Sequence, residues 1–193
     1  MSSGCDMNET SYIKDGTARL VVEMVKREWP QQWPNFLQEL TDLSKDGQEY
    51  QTEVTPHYLL NLHTTNFIFQ LVLLVILRLT EDVAVFQSVE AARRRDLQQA
   101  LTANTTEIFD FLSRLLRIQV TAYHDRALSG AKEASFHCRL AQSAIAVFQA
   151  HVEWVPINHI MSHDGQLLVL LCNLLSEEHF RLPAADCLLQ VNN

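Results

Sequence analysis

The chain has 193 residues, of which 47% are hydrophobic, and it contains only five glycines and five prolines. This length suits one compact domain or roughly four to five helical hairpins of about 40 residues each. An all-β sandwich needs a turn signal every ~8–12 residues, so the few breakers exclude it and predict an all-α protein. The net charge of −8 argues against a dedicated nucleic-acid-binding domain, because phosphate contacts require a basic surface.

The cysteines and histidines form no recognisable metal, redox or catalytic motif. His159 and His163 are spaced as two ligands on one helical turn, but a third ligand with suitable spacing is missing. No HExxH, GxSxG or glycine-rich phosphate loop occurs. We therefore expect a binding protein rather than an enzyme, without a metal or cofactor. The cysteines lie far apart and are predicted to be reduced and mostly buried: Cys5, Cys138, Cys172 and Cys187.

The first elements in the chain are predicted to form a helical hairpin. Residues 1–12 are polar and lack the apolar segment of a signal peptide, so they are predicted to be a disordered lead before helical repeats over residues 13–193. The first helix is predicted from about Ala18 to Glu28. A tryptophan–proline corner ends it and starts a second helix, which is predicted to stop at Gly47. This corner consists of Trp29, Pro30, Trp33 and Pro34.

The next part of the chain alternates between irregular and strongly apolar sequence. Residues 48–66 show no helical period and are predicted to be irregular. The segment FIFQLVLLVILRL at residues 67–79 is too short for a transmembrane helix, which needs about 20 apolar residues. It is instead predicted to begin a buried helix that reaches about residue 87. Further helices are predicted at 93–124, 132–154, 166–175 and 183–193, with a short turn at 158–161.

Helical hairpins laid end to end are typical of a solenoid, in which each repeat buries its apolar face against its neighbours. The repetition is weak here, so a closed helical bundle is the alternative architecture. The ends of a solenoid need polar capping helices. The last predicted helix lacks such a polar face, so Leu188 and Leu189 are predicted to be exposed and to favour aggregation.

The segment KREWPQQWPNFL at residues 26–37 contains two Trp-Pro dipeptides four residues apart. It resembles the N-terminal third of the nuclear export receptors in the importin-β (karyopherin) superfamily, and especially the exportins that carry double-stranded RNA hairpins. The resemblance continues through LVLLVILRLTEDVAVFQ, RRRDLQQALTANTTEIFDFL and LLVLLCNLLSEEHFRLPAADCLLQ, and it covers most of residues 12–190. Two departures stand out. Residues 53–70 resemble an insertion, and relative to the family the chain is truncated at both ends.

The resemblance implies a HEAT-type helical-repeat solenoid that binds RanGTP together with cargo and shuttles between nucleus and cytoplasm. The implied cargo is double-stranded or hairpin RNA, such as pre-microRNA, and RNA-associated proteins; no membrane insertion is implied. The repeats that carry the main RanGTP contact in such receptors are expected to be missing, so the chain alone is expected to lack stable export activity. The alternative function is a helical-repeat scaffold for protein–protein interaction unrelated to transport.

The three consecutive arginines Arg93, Arg94 and Arg95 are the densest basic cluster in the sequence. Guanidinium groups match the geometry of phosphate oxygens, so this cluster is the candidate contact to RNA or another partner. A solvated helix start is the ordinary interpretation of such a cluster, but three positive charges at a predicted helix start oppose the helix dipole, which adds some weight to a functional role.

Two other features have a structural and a functional interpretation. The tryptophan–proline corner is predicted to pack between adjacent hairpins rather than to present its rings to a partner. The acidic pairs Glu81–Asp82 and Glu177–Glu178 are predicted to be solvated, with an acidic surface for basic cargo or Ran as the alternative.

Overall fold

The structure is a computed structural model that describes residues 5–49, 58–85, 89–127 and 131–191. Within these ranges every regular element is helical, which confirms the all-α prediction. None of the described helices is both long and apolar enough to span a membrane. A short π-helical turn, Glu81–Val85, continues α3. The helices are α1 (Cys5–Glu28), α2 (Phe36–Glu49), α3 (Tyr58–Thr80), α4 (Ala91–Ala103), α5 (Thr105–Ala127), α6 (Ala131–Val152), α7 (Ile157–Ile160), α8 (Ser162–Leu174) and α9 (Arg181–Val191).

The first compact unit comprises residues 1–98. In it, α3 packs against α1 on one side and pairs with α2 on another. The apolar positions of these helices recur at helical spacing, so each helix turns one stripe toward the common core. The side chains in that core are almost completely buried; they include Val22, Val25, Trp29, Phe36, Phe69, Val72, Ile76 and Leu79.

The second compact unit comprises residues 99–193. Here α5 pairs with α6, and α8 pairs with α9. The two pairs stack so that α6 packs on α9 while α5 contacts α8. The result is two layers, α5 with α8 and α6 with α9, as expected for consecutive helical repeats of the HEAT type.

The N-terminal half is more helical than the sequence predicts. α1 begins at Cys5 rather than at Ala18, so residues 5–12 are helical where a disordered lead is predicted. Farther along, α1 is connected to α3, because Lys14 hydrogen-bonds to Gln70 and Asp15 pairs with Arg78.

Helix also replaces predicted irregular structure around α2 and α3. α2 passes through Gly47 to Glu49, and α3 already begins at Tyr58. Once the buried segment after residue 66 nucleates α3, each residue added at its start gains one backbone hydrogen bond, which favours propagation over weak local signals. The remainder of the predicted irregular segment and suspected insertion, residues 50–57, lies outside the described residues, as do residues 1–4.

The long helix predicted at 93–124 is instead two helices that meet at Asn104. The Asn104 side-chain amide donates to the carbonyl of Ala100 at 2.8 Å, and the buried hydroxyl of Thr105 donates to the carbonyl of Leu101 at 3.1 Å. Such side chains compete with the backbone ladder and commonly interrupt it. The prediction of one continuous helix is therefore wrong.

The boundaries of the last helices also differ from the predictions. α6 ends at Val152 rather than Trp154. α8 begins at Ser162 rather than at 166, with Gly165 at a φ of 69° inside it. α9 begins at Arg181, and Pro183 lies within its first turn, where a helix needs no N–H. Leu189 is 64% exposed, as predicted, whereas Leu188 is half-buried.

Candidate partner-binding surface

The tryptophan–proline corner joins α1 to α2 in the first unit. Trp29 is 1% exposed, and its ring lies 6.1 Å from that of Phe36 in an edge-to-face arrangement. Trp33 is half-buried, 5.0 Å from the same phenylalanine ring, and donates from Nε1 to Glu39 Oε2 at 2.9 Å. Pro30 is half-buried after a cis peptide bond, and Pro34 is exposed at the approach to α2. The two indoles therefore surround Phe36 and are not a pair of exposed rings.

Arg93, the first arginine of the basic cluster, is directed into the first unit. Its Nε donates to the carbonyl of Lys26 at 2.7 Å, one terminal nitrogen donates to Gln31 Oε1 at 2.6 Å, and the other donates to the carbonyl of Trp29. The last carbonyls of a helix have no partner within the helix, and the dipole makes that end negative. Arg93 therefore caps the end of α1 and anchors the tryptophan–proline corner to the start of α4.

This contact explains the electrostatic mismatch seen in the sequence. The positive charge of Arg93 is unfavourable at the start of its own helix, but it lies against the negative end of another helix, α1. The other two arginines differ in exposure: Arg94 is half-buried and Arg95 is exposed. The structure thus makes Arg93 the cap of α1, whereas Arg95 is the exposed member of the cluster.

A network of charged side chains connects α1 to α3 in the first unit. Lys26 Nζ lies 2.8 Å from Asp82 and 2.5 Å from Glu23. Asp15 pairs with Arg78 and, at 3.0 Å, with Arg19 on its own helix. A polar cavity of about 400 Å³ lies between these pairs; its wall includes Arg19, Glu23, Arg78, Glu81 and Asp82.

The electrostatics of this network follow from burial and charge. Burial of Lys26 lowers its pKa, but hydrogen bonds to Asp82 and Glu23 and their negative charges outweigh burial, so the pKa is raised. Burial raises the pKa of Glu81, and the nearby Arg78 only partly opposes this. Asp82 is therefore part of an ion pair between helices, and the prediction that Glu81–Asp82 forms a solvated face is wrong for this residue.

Among the described residues of the second unit, two histidines are buried. His137 is 3% exposed; its Nδ1 is 2.6 Å from Gln119 Oε1, and its Nε2 contacts the Arg126 guanidinium. Because a guanidinium only donates, Nε2 is the acceptor and Nδ1 carries the proton. His151 is completely buried and donates from Nδ1 to the carbonyl of Val147 at 2.8 Å. Burial lowers the pKa of His151 to about 4.

The remaining candidate residues are His159, His163 and the acidic pair Glu177–Glu178. His159 is half-buried, and the side chain of His163 is outside the described residues. Glu177 lies 3.4 Å from His124, and Glu178 is exposed. Within the described side chains, no group of three or more histidine, cysteine or acidic residues is arranged to hold a metal ion.

Burial raises the pKa of the Cys138 thiol, and raises that of Cys187 to about 12.

Sequence reasoning missed one repeated signal. α1 ends at Glu28 and is followed by Trp29-Pro30, and α6 is followed by Glu153-Trp154-Val155-Pro156. Each stretch follows the end of a helix and leads toward the next one. Comparing the two shows a shared Glu-Trp pair with a proline one or two residues later. The partners of Arg93 had no such signal, because Lys26, Trp29 and Gln31 are more than 60 residues away in the sequence.

Comparisons with known proteins extend over almost the whole chain. The model of the family described as Exportin 1-like protein matches residues 10–188. The chain is 41% identical over 185 residues to Exportin-5 of Homo sapiens, which covers 95% of this chain and 14% of that protein. It is 28% identical over 188 residues to Protein HASTY 1 of Arabidopsis thaliana, which covers 96% of this chain and 14% of that protein.

A more distant relative gives the same picture: the identity to Exportin-5 of Dictyostelium discoideum is 26% over 185 residues, with 94% of this chain and 15% of that protein covered. The chain thus spans about one seventh of the length of the curated relatives it matches. The family match extends through both compact units, from α1 to α9. The chain belongs to the Exportin 1-like protein family.

Proposed function

We propose that the chain forms part of a nuclear export receptor that binds RanGTP together with cargo and carries it from nucleus to cytoplasm. The observation that carries this proposal is the family match over residues 10–188 in a chain built of stacked helical hairpins. The proposed cargo is double-stranded or hairpin RNA, such as pre-microRNA, and RNA-associated proteins. The 41% identity to Exportin-5 supports this branch of the family.

The proposed mechanism depends on binding and not on covalent chemistry. Helical repeats that contact only their neighbours can change curvature through small adjustments at each interface. If RanGTP and cargo each favour the same curvature, each raises the affinity for the other by the same factor, because the coupling is reciprocal. GTP hydrolysis in the cytoplasm removes one partner and thereby weakens the binding of the second.

Within this function we assign different roles to the three arginines. Arg95 is exposed and Arg94 half-buried, so these two are the proposed phosphate contacts. Arg93 caps α1 and supports them from inside the unit. A chain with a net charge of −8 must confine RNA binding to such local patches. Duplex RNA is recognised mainly by shape and backbone, so no base-reading motif is required.

The test is an electrophoretic mobility assay with a hairpin RNA that carries a short overhang. The protein is the longest polypeptide that the gene encodes, because the relatives are about seven times as long as this chain. We expect a shifted complex with RanGTP and much less with RanGDP or with a single-stranded RNA of the same composition. The 193-residue chain alone is expected to give no saturable complex with RanGTP in a pull-down.

Two substitutions separate RNA contact from support of the fold. Arg95→Ala should weaken hairpin binding and reduce the slope of log affinity against log salt by about one, with the unfolding free energy unchanged within about 0.5 kcal/mol. Arg93→Ala should lower the unfolding free energy by about 1–2 kcal/mol, because it leaves two carbonyls at the end of α1 without their cap.

Two results would contradict the proposal. Hairpin binding that is equal with RanGTP and RanGDP would remove the transport cycle and favour a helical-repeat scaffold for protein–protein interaction. Hairpin binding that is unaffected by Arg95→Ala and by Arg94→Ala would move the RNA contact away from this cluster.

A further inference from the structure

Lys26, in the last turn of α1, connects three segments of the first unit. Its ammonium group lies 2.8 Å from Asp82 of the π-helical turn and 2.5 Å from Glu23 of its own helix. Its backbone carbonyl accepts the hydrogen bond from Arg93 Nε, at 2.7 Å, near the start of α4. The Lys26 side chain is only 12% exposed, so its charge is directed to these carboxylates more than to solvent. One residue thus contacts the turn after α3 and the start of α4 while it belongs to the end of α1.

The start of α4 is therefore restrained from two sides. The chain reaches it from the π-helical turn after only five residues, and the Lys26 side chain holds that turn through Asp82. From the other side, Arg93 binds the carbonyl of Lys26 at the end of α1. Both restraints meet at Lys26. Arg94 and Arg95 directly follow Arg93, so the direction of their side chains depends on how this first turn of α4 is held.

The use of an ion pair here has a physical consequence. Desolvation of an ammonium group offsets most of what its ion pairs contribute, so such a pair adds little stability compared with a well-packed apolar side chain. The pair is nevertheless directional, because the charge is satisfied only where the carboxylates meet it. Groups that are held in their bound geometry lose less conformational entropy on binding. The ion pairs of Lys26 therefore favour binding by the groups that they hold in place more than they favour folding.

We propose that Lys26 is a positioning residue for the phosphate contacts of Arg94 and Arg95. It does not touch the RNA; it fixes the first turn of α4 so that the two guanidinium groups point in one direction. Without its ammonium group both arginine charges remain, but they are less ordered before binding. The inference rests on the proposed RNA binding, and it adds to that site a residue that lies 67 positions before Arg93 in the sequence.

The test measures affinity for the hairpin RNA in the presence of RanGTP, by electrophoretic mobility, with the longest polypeptide that the gene encodes. Lys26→Met keeps an unbranched stem and removes the ammonium group. We expect binding to weaken about three- to tenfold, because one or two long side chains must then be ordered when the RNA binds. Lys26→Arg keeps the charge and should restore most of the affinity, since a guanidinium can still pair with Asp82 and Glu23.

The decisive comparison repeats Lys26→Met in a protein that carries both Arg94→Ala and Arg95→Ala. In that background Lys26→Met should change the affinity by less than about twofold, because the groups that it positions are gone. A merely structural role would not make the effect on affinity depend on the arginines. Arg19→Met is the matched control: it also removes a cation from α1, but Arg19 is 66% exposed and pairs within its own helix. It should leave the affinity unchanged within about twofold.

Three results would overturn the inference. An equal loss from Lys26→Met in both backgrounds would do so, and if the slope of log affinity against log salt also fell by about one, Lys26 itself would contact phosphate. An equal loss from Arg19→Met would mean that any cation of α1 acts through its general charge. Unchanged affinity of Lys26→Met, where removal of both arginines weakens binding, would mean that α4 is held without Lys26. The proposed function fails separately, and this inference with it, if removal of both arginines has no effect.

Discussion

In both compact units the helices stack through apolar side chains, but the polar contacts between the helices differ. In the first unit, α1 and α3 are connected by the pairs Asp15–Arg78 and Lys26–Asp82, all partly accessible to solvent. In the second, α5 and α6 enclose the side chains of Gln119 and His137, and His151 is completely buried. Apolar stacking is therefore the feature that the two units share, and the polar contacts are specific to each unit.

The related segments at the ends of α1 and α6 show the same contrast. Trp29 is 1% exposed, and its carbonyl accepts a bond from Arg93. Trp154 is half-buried and stacks at a tilt near His151, with ring centres 5.9 Å apart. The Trp154 indole N–H is buried without a hydrogen-bond acceptor among the described atoms. The same residue type thus contributes to the core in one unit and only to its margin in the other.

The largest expected effect comes from removing the buried indole of the first unit. Trp29→Ala should lower the free energy of unfolding by about 3–5 kcal/mol, because it leaves a cavity beside Phe36 and removes an aromatic contact. Urea unfolding followed by far-ultraviolet circular dichroism measures this loss. Trp154→Ala is the matched control and should cost less, since that side chain is half-buried. Equal losses would show that the two segments are energetically equivalent.

The second unit should lose stability in mild acid through His151. Burial lowers the pKa of this histidine from 6.5 to about 4, so between these values the unfolded chain binds a proton that the folded chain does not. Its contribution to stability is therefore fully present above about pH 6.5 and is lost as the pH falls toward 4. From about pH 7 to about pH 4.5 the expected loss is roughly 2–3 kcal/mol.

The measurement compares the wild type with His151→Gln, which cannot take up the proton. Unfolding free energies at the two pH values give a loss for each protein, and the acidic groups common to both cancel in the difference. The wild type should lose roughly 2–3 kcal/mol more than the variant. A pH dependence that is the same in both proteins would mean that His151 titrates normally in the folded state.

The comparison also explains which parts of the structure could be predicted from the sequence. The all-α class and the hairpin at Trp29–Pro30 follow from local signals, because proline and helical spacing act over a few residues. The turn of α1 just before Ala18 was missed, since the contacts of Lys14 and Asp15 to α3 join residues far apart in the sequence and leave no local trace. The break at Asn104 has a local cause, but an asparagine inside a long helical pattern is a weak signal.

The candidate site was predictable only as a set of residue types. The cluster Arg93–Arg95 is visible in the sequence, and the unfavourable charge at its helix start suggested an additional role. That role for Arg93 is to cap α1, which depends on carbonyls more than 60 residues away. An apolar groove of about 510 Å³ between α1, α2 and α3 was missed for a similar reason, because its wall combines residues from three helices whose apolar positions resemble ordinary core stripes.

The smallest expected effect comes from a pair of glycines, one in each unit. Gly165 of α8 has a φ of 69°, a left-handed conformation that costs other residues about 1–2 kcal/mol. A Cβ there would meet Met161 Cε at an ordinary 3.6 Å, so the cost of Gly165→Ala, about 1 kcal/mol or slightly more, comes from the backbone and not from lack of space. Gly165→Asn should lose less, because asparagine tolerates this conformation.

Gly16 of α1 provides the opposite case. It lies inside a helix, and a Cβ added there would meet no atom within 4 Å outside its own helical backbone. Gly16→Ala should therefore raise the free energy of unfolding by about 0.5–1 kcal/mol, because alanine loses less backbone entropy on folding. Chemical denaturation of both alanine variants tests the difference in sign. A gain of stability from both would mean that residue 165 adopts an ordinary helical conformation, whereas a loss from both would mean that the early turns of α1 are not helical in solution.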